Sequence, residues 1–127
     1  MEFEYTAARS IQGSHTIGVS YTVDINLQQL DRVVTRKGPA PLTALDGSQV
    51  TVTHRVEASY SIKTDYVDTT TTPAVDDLRE MLDSVVGGET WTMDDGSGAL
   101  NIVLVGNTYK ETRNGTMLSY GFKVRLL

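Results

Sequence analysis

Ile17-Gly18-Val19-Ser20-Tyr21-Thr22-Val23-Asp24-Ile25-Asn26-Leu27 carries an apolar side chain at every odd position and a small or polar one between. Side chains of a β-strand point alternately to opposite faces, so this spacing predicts one long strand with a dry and a wet face. A second stretch repeats the pattern, with Val50, Val52, His54, Val56, Ala58, Tyr60 and Ile62 set against Thr51, Thr53, Arg55, Glu57, Ser59 and Ser61. At about 3.3 Å per residue, each strand reaches roughly 35–45 Å. Strands of that length overhang a small domain.

Between the two stretches, residues 31–48 form a connection too long for a tight hairpin. Pro39 and Pro41 remove backbone donors there, which predicts an extended arm. Long connections without structure of their own are uncommon in compact domains and tend to be functional. Val33, Val34, Pro39, Pro41 and Leu42 give the arm apolar surface to bury against a neighbour, and Arg36 and Lys37 give it charge to dock on an acidic one.

Beyond the second strand, the chain predicts a helix over residues 73–86. Thr72 can cap it, Pro73 suits its first position, and Asp76 and Asp77 complement the positive end of its dipole. Val75, Leu78, Leu82, Val85 and Val86 then fall on one stripe with Met81 beside them, and Gly87-Gly88 ends the helix. The rest reads as strands: residues 90–93, a turn at Asp95-Gly96-Ser97-Gly98, residues 100–105, and a hairpin turning at Asn114-Gly115. Its last strand alternates Leu118, Tyr120, Phe122, Val124 and Leu126. A short strand over residues 3–8 opens the chain.

A length of 127 residues suits a single domain, and 39% hydrophobic with 21% charged residues is ordinary globular composition. No apolar run approaches the roughly 20 residues of a membrane-spanning helix, and the opening Met1-Glu2-Phe3-Glu4-Tyr5 does not read as a secretory leader. The expectation is a protein made in a cytoplasm, without membrane insertion. The absence of cysteine excludes disulfides and thiolate catalysis. A net charge of −5 argues against tight nucleic-acid binding, which needs clustered Lys and Arg.

Candidate chemistry is sparse. His54 falls among valines, where a packed histidine is the plainer reading, and His15 sits in a turn; neither has a second ligand at metal spacing. Asp94-Asp95-Gly96-Ser97-Gly98 lacks the spacing of a calcium loop and fits a hairpin turn. Glu89 with Asp94, or Glu57 with Asp24, are carboxylate pairs of a kind any acidic chain offers. Ser10, Ser14 and His15 lie close together without a nucleophile elbow, and Gly87-Gly88 follows a helix where a phosphate cradle would precede one. The lone Trp91 reads as core. No cofactor and no catalytic set are expected.

The order of elements resembles the small distal-tail or baseplate-hub proteins, tail-tube-like, of long-tailed bacteriophages. Ala44-Leu45-Asp46-Gly47, His54-Arg55-Val56-Glu57, Leu78-Arg79-Glu80-Met81-Leu82-Asp83-Ser84-Val85, Gly87-Gly88-Glu89-Thr90-Trp91 and Tyr120-Gly121-Phe122-Lys123-Val124-Arg125 carry the likeness, from about residue 17 to the end. It implies an α+β chain, mostly β: an antiparallel β-sandwich or partly closed barrel flanked by the helix. It further implies a homohexameric ring in the virion tail, contacts with other tail proteins, and DNA passing through a central channel. Asp24, Asn26, Glu57 and Ser59 would face that channel, where small polar and acidic side chains avoid holding DNA. No appended domain for binding a receptor is present in the sequence. The rival reading is a β-sandwich module that binds carbohydrate or a protein partner, and an enzyme is a third.

Overall fold

The computed structural model describes residues 1–37, 42–43, 49–50 and 55–127. In chain order its strands are β1 (Glu2–Thr6), β2 (Ser20–Asp24), β3 (Leu27–Lys37), β4 (Leu42–Thr43), β5 (Gln49–Val50) and β6 (Arg55–Thr64). The helix α1 (Val75–Val85) follows, then β7 (Trp91–Asp94), β8 (Ala99–Leu104), a 3-10 turn at Val105–Asn107, β9 (Lys110–Asn114) and β10 (Met117–Leu126). The chain is thus mostly β with one helix.

Except for the short β4–β5 pair, the strands form one antiparallel sheet in the order β2-β1-β7-β8-β10-β6-β3. On one side β10 meets β6; on the other it meets β8 through Val124↔Leu104 and β9 through Gly121↔Lys110, so β8 and β9 lie end to end along it. The two stacked sheets of a sandwich are replaced by a single open sheet with β2 and β3 at its edges. The sheet is nevertheless curled. Phe3 on β1 and Phe122 on β10 are three strand spacings apart, about 14 Å in a flat sheet, yet their ring centroids are 6.0 Å apart. Trp91 closes the group, 5.1 Å from Phe3 and 5.7 Å from Phe122.

The alternation expected in β10 is present: Leu118, Tyr120, Phe122 and Val124 are buried and Leu126 is partly so. Ile102, Leu104, Trp91, Met93, Phe3, Tyr5, Val23 and Ile62 join them on the same side of the sheet, and Val75, Leu78, Met81, Leu82 and Val85 of α1 complete the core. Turn chemistry sets the register. Gly115, at φ +63°, and Thr116 form the two-residue loop between Asn114 and Met117, and Asp94 accepts the N–H groups of Gly96 at 2.7 Å and Gly98 at 3.2 Å.

Two sequence expectations are corrected. Residues 17–27 are not one strand: Gly18, at φ +87°, donates to the Ala7 carbonyl at 2.8 Å and forms a turn that leaves Ile17 and Val19 exposed. β2 then ends at Asp24, where Ile25 donates to the Met1 carbonyl and Asn26 turns the chain into β3. The second correction concerns residues 31–37, expected as the start of an arm. They belong to an 11-residue strand paired with β6 from Leu27↔Thr64 to Lys37↔Arg55. The long ribbon of this protein is therefore β3 with β6.

The helix starts later than expected. Asp68 Oδ1 gathers the amides and hydroxyls of Thr70 and Thr71, each at 2.8 Å, and Thr72-Pro73, joined by a cis peptide bond, leads into Ala74. Ala74 is the N-cap, and its N–H donates to the Asp77 carboxylate at 3.0 Å. No basic residue lies in the last turn. Arg9 supplies the positive charge instead, donating to the Asp83 and Ser84 carbonyls while paired with Glu89 at 2.7 Å. A Cβ added at Gly87 would stand 2.6 Å from Arg9 Nη2, so glycine leaves room for this cap.

On its outer flank, α1 is tied to the sheet by Arg79–Glu111 at 2.8 Å and by the hydroxyls of Tyr120, donating to Glu111, and Tyr109, donating to Asp83, both at 2.6 Å. Glu80 is the exception: it is fully buried, and neither carboxyl oxygen has a hydrogen-bond partner among the described residues.

A buried polar group without a partner costs about 1–3 kcal/mol. Glu80→Leu is accordingly expected to raise the unfolding free energy by that order in a denaturant titration; a loss of stability would mean that Glu80 is satisfied in solution. A second expectation concerns acid. Hydrogen bonds from the Thr71 and Thr70 hydroxyls push Asp68 down to about 2. Hydrogen bonds from Arg79 and Tyr120 lower Glu111; at Glu89 burial raises the carboxyl, and the Arg9 hydrogen bond and charge with backbone hydrogen bonds together outweigh it and lower it. Folded values below unfolded ones give stabilisation that is complete above the ordinary carboxylate range and lost as pH falls through the folded values. Thermal midpoints should hold above about pH 4.5 and fall towards about pH 2, and Glu111→Gln should flatten the slope.

Candidate functional site: a ribbon beyond the core and a divided sheet face

The pairing of β10 with β6 ends at Arg125↔Ser59. Beyond that row, among the described residues, β6 has only β3 beside it, through Ala58↔Val34, Glu57↔Thr35, Val56↔Arg36 and Lys37↔Arg55. A two-stranded ribbon is marginal in water without a face to pack on, and β3 also presents an open edge to solvent. In register, Leu30, Val34 and Val56 continue the core side of the sheet past the point where the helix covers it, while Val33 shares a row with Ser59 on the opposite side. All four are exposed, Val34 by 48% and Val56 by 68%.

Of the residues expected in an inter-subunit arm, Val33 and Val34 thus lie exposed on this ribbon, Arg36 and Lys37 stand at its far end, and Leu42 begins β4. Pro39 and Pro41 lie outside the described residues. The four residues expected to line a channel do not form one patch. Asp24 on β2 and Asn26 in the following turn are exposed, but Glu57 is on β6, at the other end of the sheet. Ser59 departs from the expectation: it is buried, its hydroxyl donates to the Val33 carbonyl at 3.5 Å, and it sits in register between the larger Arg125 and Val33.

The outer face of the sheet is acidic at one end and mixed in charge at the other. At the β2-β1-β7 end, Glu2 stands directly opposite both Asp24 and Asp94, with Glu4 two residues further along the same face. Like charges directly opposite each other are unfavourable, and Asp24 is partly compensated by the Met1 ammonium at 3.5 Å. At the β10-β6 end, the same face carries Lys63, Lys123 and Arg125 in neighbouring rows, together with Asp31, in the row of Ser61 and Lys123, and Glu57 opposite Thr35.

The other sequence candidates resolve into local structure. Glu89 is paired with Arg9, apart from Asp94; Ser10 Oγ accepts the His15 N–H at 3.1 Å. Asp24 and Glu57 are separated by most of the sheet. His54 lies outside the described residues, and Trp91 is buried in the core. Among the described residues, no group of three or more His, Asp or Glu side chains could hold a metal ion, and no helix is long and apolar enough to cross a membrane.

Sequence reading missed one cluster. His15 stacks on Tyr21, with ring centroids 3.9 Å apart and planes at 13°, and its Nε2 lies 2.6 Å from the Tyr5 hydroxyl. Its signal is the β1–β2 pairing, which sets Tyr5 opposite Tyr21. No protein-family model and no curated protein matches the chain.

Because Val34 and Val56 bury little surface in the isolated chain, the double substitution Val34→Asp, Val56→Asp is expected to change the unfolding free energy by no more than about 0.5–1 kcal/mol. A loss of several kcal/mol in a denaturant titration would place both side chains in the protein's own core.

Proposed function

We propose that this chain is a structural subunit that assembles with copies of itself into a ring, and that it serves as a distal-tail or baseplate-hub component of a bacteriophage tail. The observation that carries the reading is the β3–β6 ribbon, whose exposed Leu30, Val34 and Val56 continue the core side of the sheet. A surface of this kind is stable when another protein covers it. A head-to-tail contact closes into a ring when its rotation divides a full turn.

In this reading the ring lies in the virion, contacts other tail proteins above and below, and lets DNA pass without gripping it. The carboxylates of Glu2, Glu4, Asp24 and Asp94 on one face suit that last role, because they repel a phosphate backbone.

Negative-stain images and light scattering of the purified protein are expected to show particles of about six copies, and the Val34→Asp, Val56→Asp protein to run as a folded monomer. A wild-type protein that stays monomeric at high concentration ends the proposal.

A further inference from the structure

Beside the edge strand β2 lies a cavity of about 280 Å³, lined by Tyr5, His15, Tyr21, Asp24, Pro73 and Asp77 among others. A second cavity of about 290 Å³ shares Asp24 and Pro73 with it and adds Asp65 and Tyr66. Among the described residues, neither is lined by a lysine or an arginine. Aromatic rings and the Asp77 carboxylate thus meet in one recess with no cationic side chain of the described residues lining it.

We propose that this recess binds a monovalent organic cation, a guanidinium or an alkylammonium head. Three observations carry the proposal. The first is the aromatic wall: Tyr21 and His15 are stacked, Tyr5 and Tyr21 lie 6.1 Å apart, and π-faces attract a cation that has shed part of its water. The second is charge. Asp77 lines the cavity, the fully buried Glu80 lies close enough to act on Tyr5, and burial together with the Glu80 and Asp77 charges pushes the Tyr5 hydroxyl well above the ordinary phenol value; Asp24, at the rim, faces the other side of β2 and is paired with the Met1 ammonium. The third is an unfilled hydrogen-bonding position: His15 Nδ1 is buried without a partner among the described residues.

The carboxylates disfavour an anion. A bare metal ion would need several converging oxygens, and among the described residues no such group exists. An organic cation satisfies both the π-faces and the carboxylates, with its alkyl part against Pro73 and Val23. Two sources present this chemistry: a free amine, or the arginine and lysine that end β3 on a second copy, Arg36 and Lys37. The site stands on its own residues whether or not copies assemble.

The test is an NMR titration of the intact protein with methylguanidinium and, separately, with N-methylurea, which has nearly the same shape and no charge. Saturable shifts of the Tyr21 and His15 ring signals are expected with methylguanidinium and absent with the urea. Asp77→Asn should weaken binding by at least about threefold; asparagine at 77 keeps an acceptor for the Ala74 N–H, so the helix start is preserved. Equal responses to the two probes, or no saturable response to methylguanidinium, overturns the proposal. The Arg36→Ala, Lys37→Ala protein separates the two sources. If a second copy fills the recess, methylguanidinium binds this variant more tightly than the wild type and disperses wild-type assemblies. If a free amine is the ligand, both proteins bind the probe equally and assemblies are untouched. Either result supports a cation site, while a ring that fails to form leaves the probe titration unchanged.

Discussion

The structure depends on the approach of Phe3 to Phe122 across the hollow of the sheet. A flat sheet of this strand order would hold the two rings apart and leave one whole face wet. Curling brings β1 and β10 together over Trp91, and α1 fills the space that remains. A single helix of 11 residues can cover the sheet only because the sheet wraps around it. Apolar area removed from water is the main stabilising term at this size, and the curl is what lets so small a helix remove it.

Around that apolar centre the polar contacts hold the helix at both ends and along its flank. Asp77 fixes its start, Arg9 with Glu89 its finish, and the Arg79–Glu111–Tyr120 group its orientation. These contacts are partly exposed and individually modest. Their value is in direction: they decide which stripe of the helix faces the sheet. One consequence is the placement of Glu80 on the inward side, where it is sealed from solvent without a hydrogen-bond partner among the described residues. The helix thus carries a charge-bearing group at a site where packing alone would favour a hydrocarbon.

Much of this was legible in the sequence, and the boundary of legibility has a physical cause. Period-two alternation located β10 and the later part of β6, because those strands have one face on the core along most of their length. The helix stripe was equally clear. The stretch at residues 17–27 misled because alternation reports which side chains are apolar and not whether the backbone stays extended: Gly18 turns the chain while the pattern runs on. The opposite error arose at residues 31–37, where Arg32, Val33, Val34 and Arg36 lack alternation, since this part of β3 has little of its own chain to face. The exposed valines were named in advance, but as part of a loop. The aromatic recess was invisible because it needs Tyr5, His15 and Tyr21 to meet through pairing of strands 14 or more residues apart, which local patterns do not encode.

The place of β10 in the sheet has a consequence for the growing polypeptide. Before it emerges from the ribosome, the pairings available are those of β2, β1, β7 and β8 in one group and of β3 with β6 in another, with no ladder between them. Among the described strands, only β10 touches both, by way of β8 and β6. The nascent chain therefore waits as two unjoined fragments of sheet, each with sticky margins, until nearly all of these residues have been translated. Non-local closure of this sort is slow, and unpaired strand margins are prone to aggregate during such an interval.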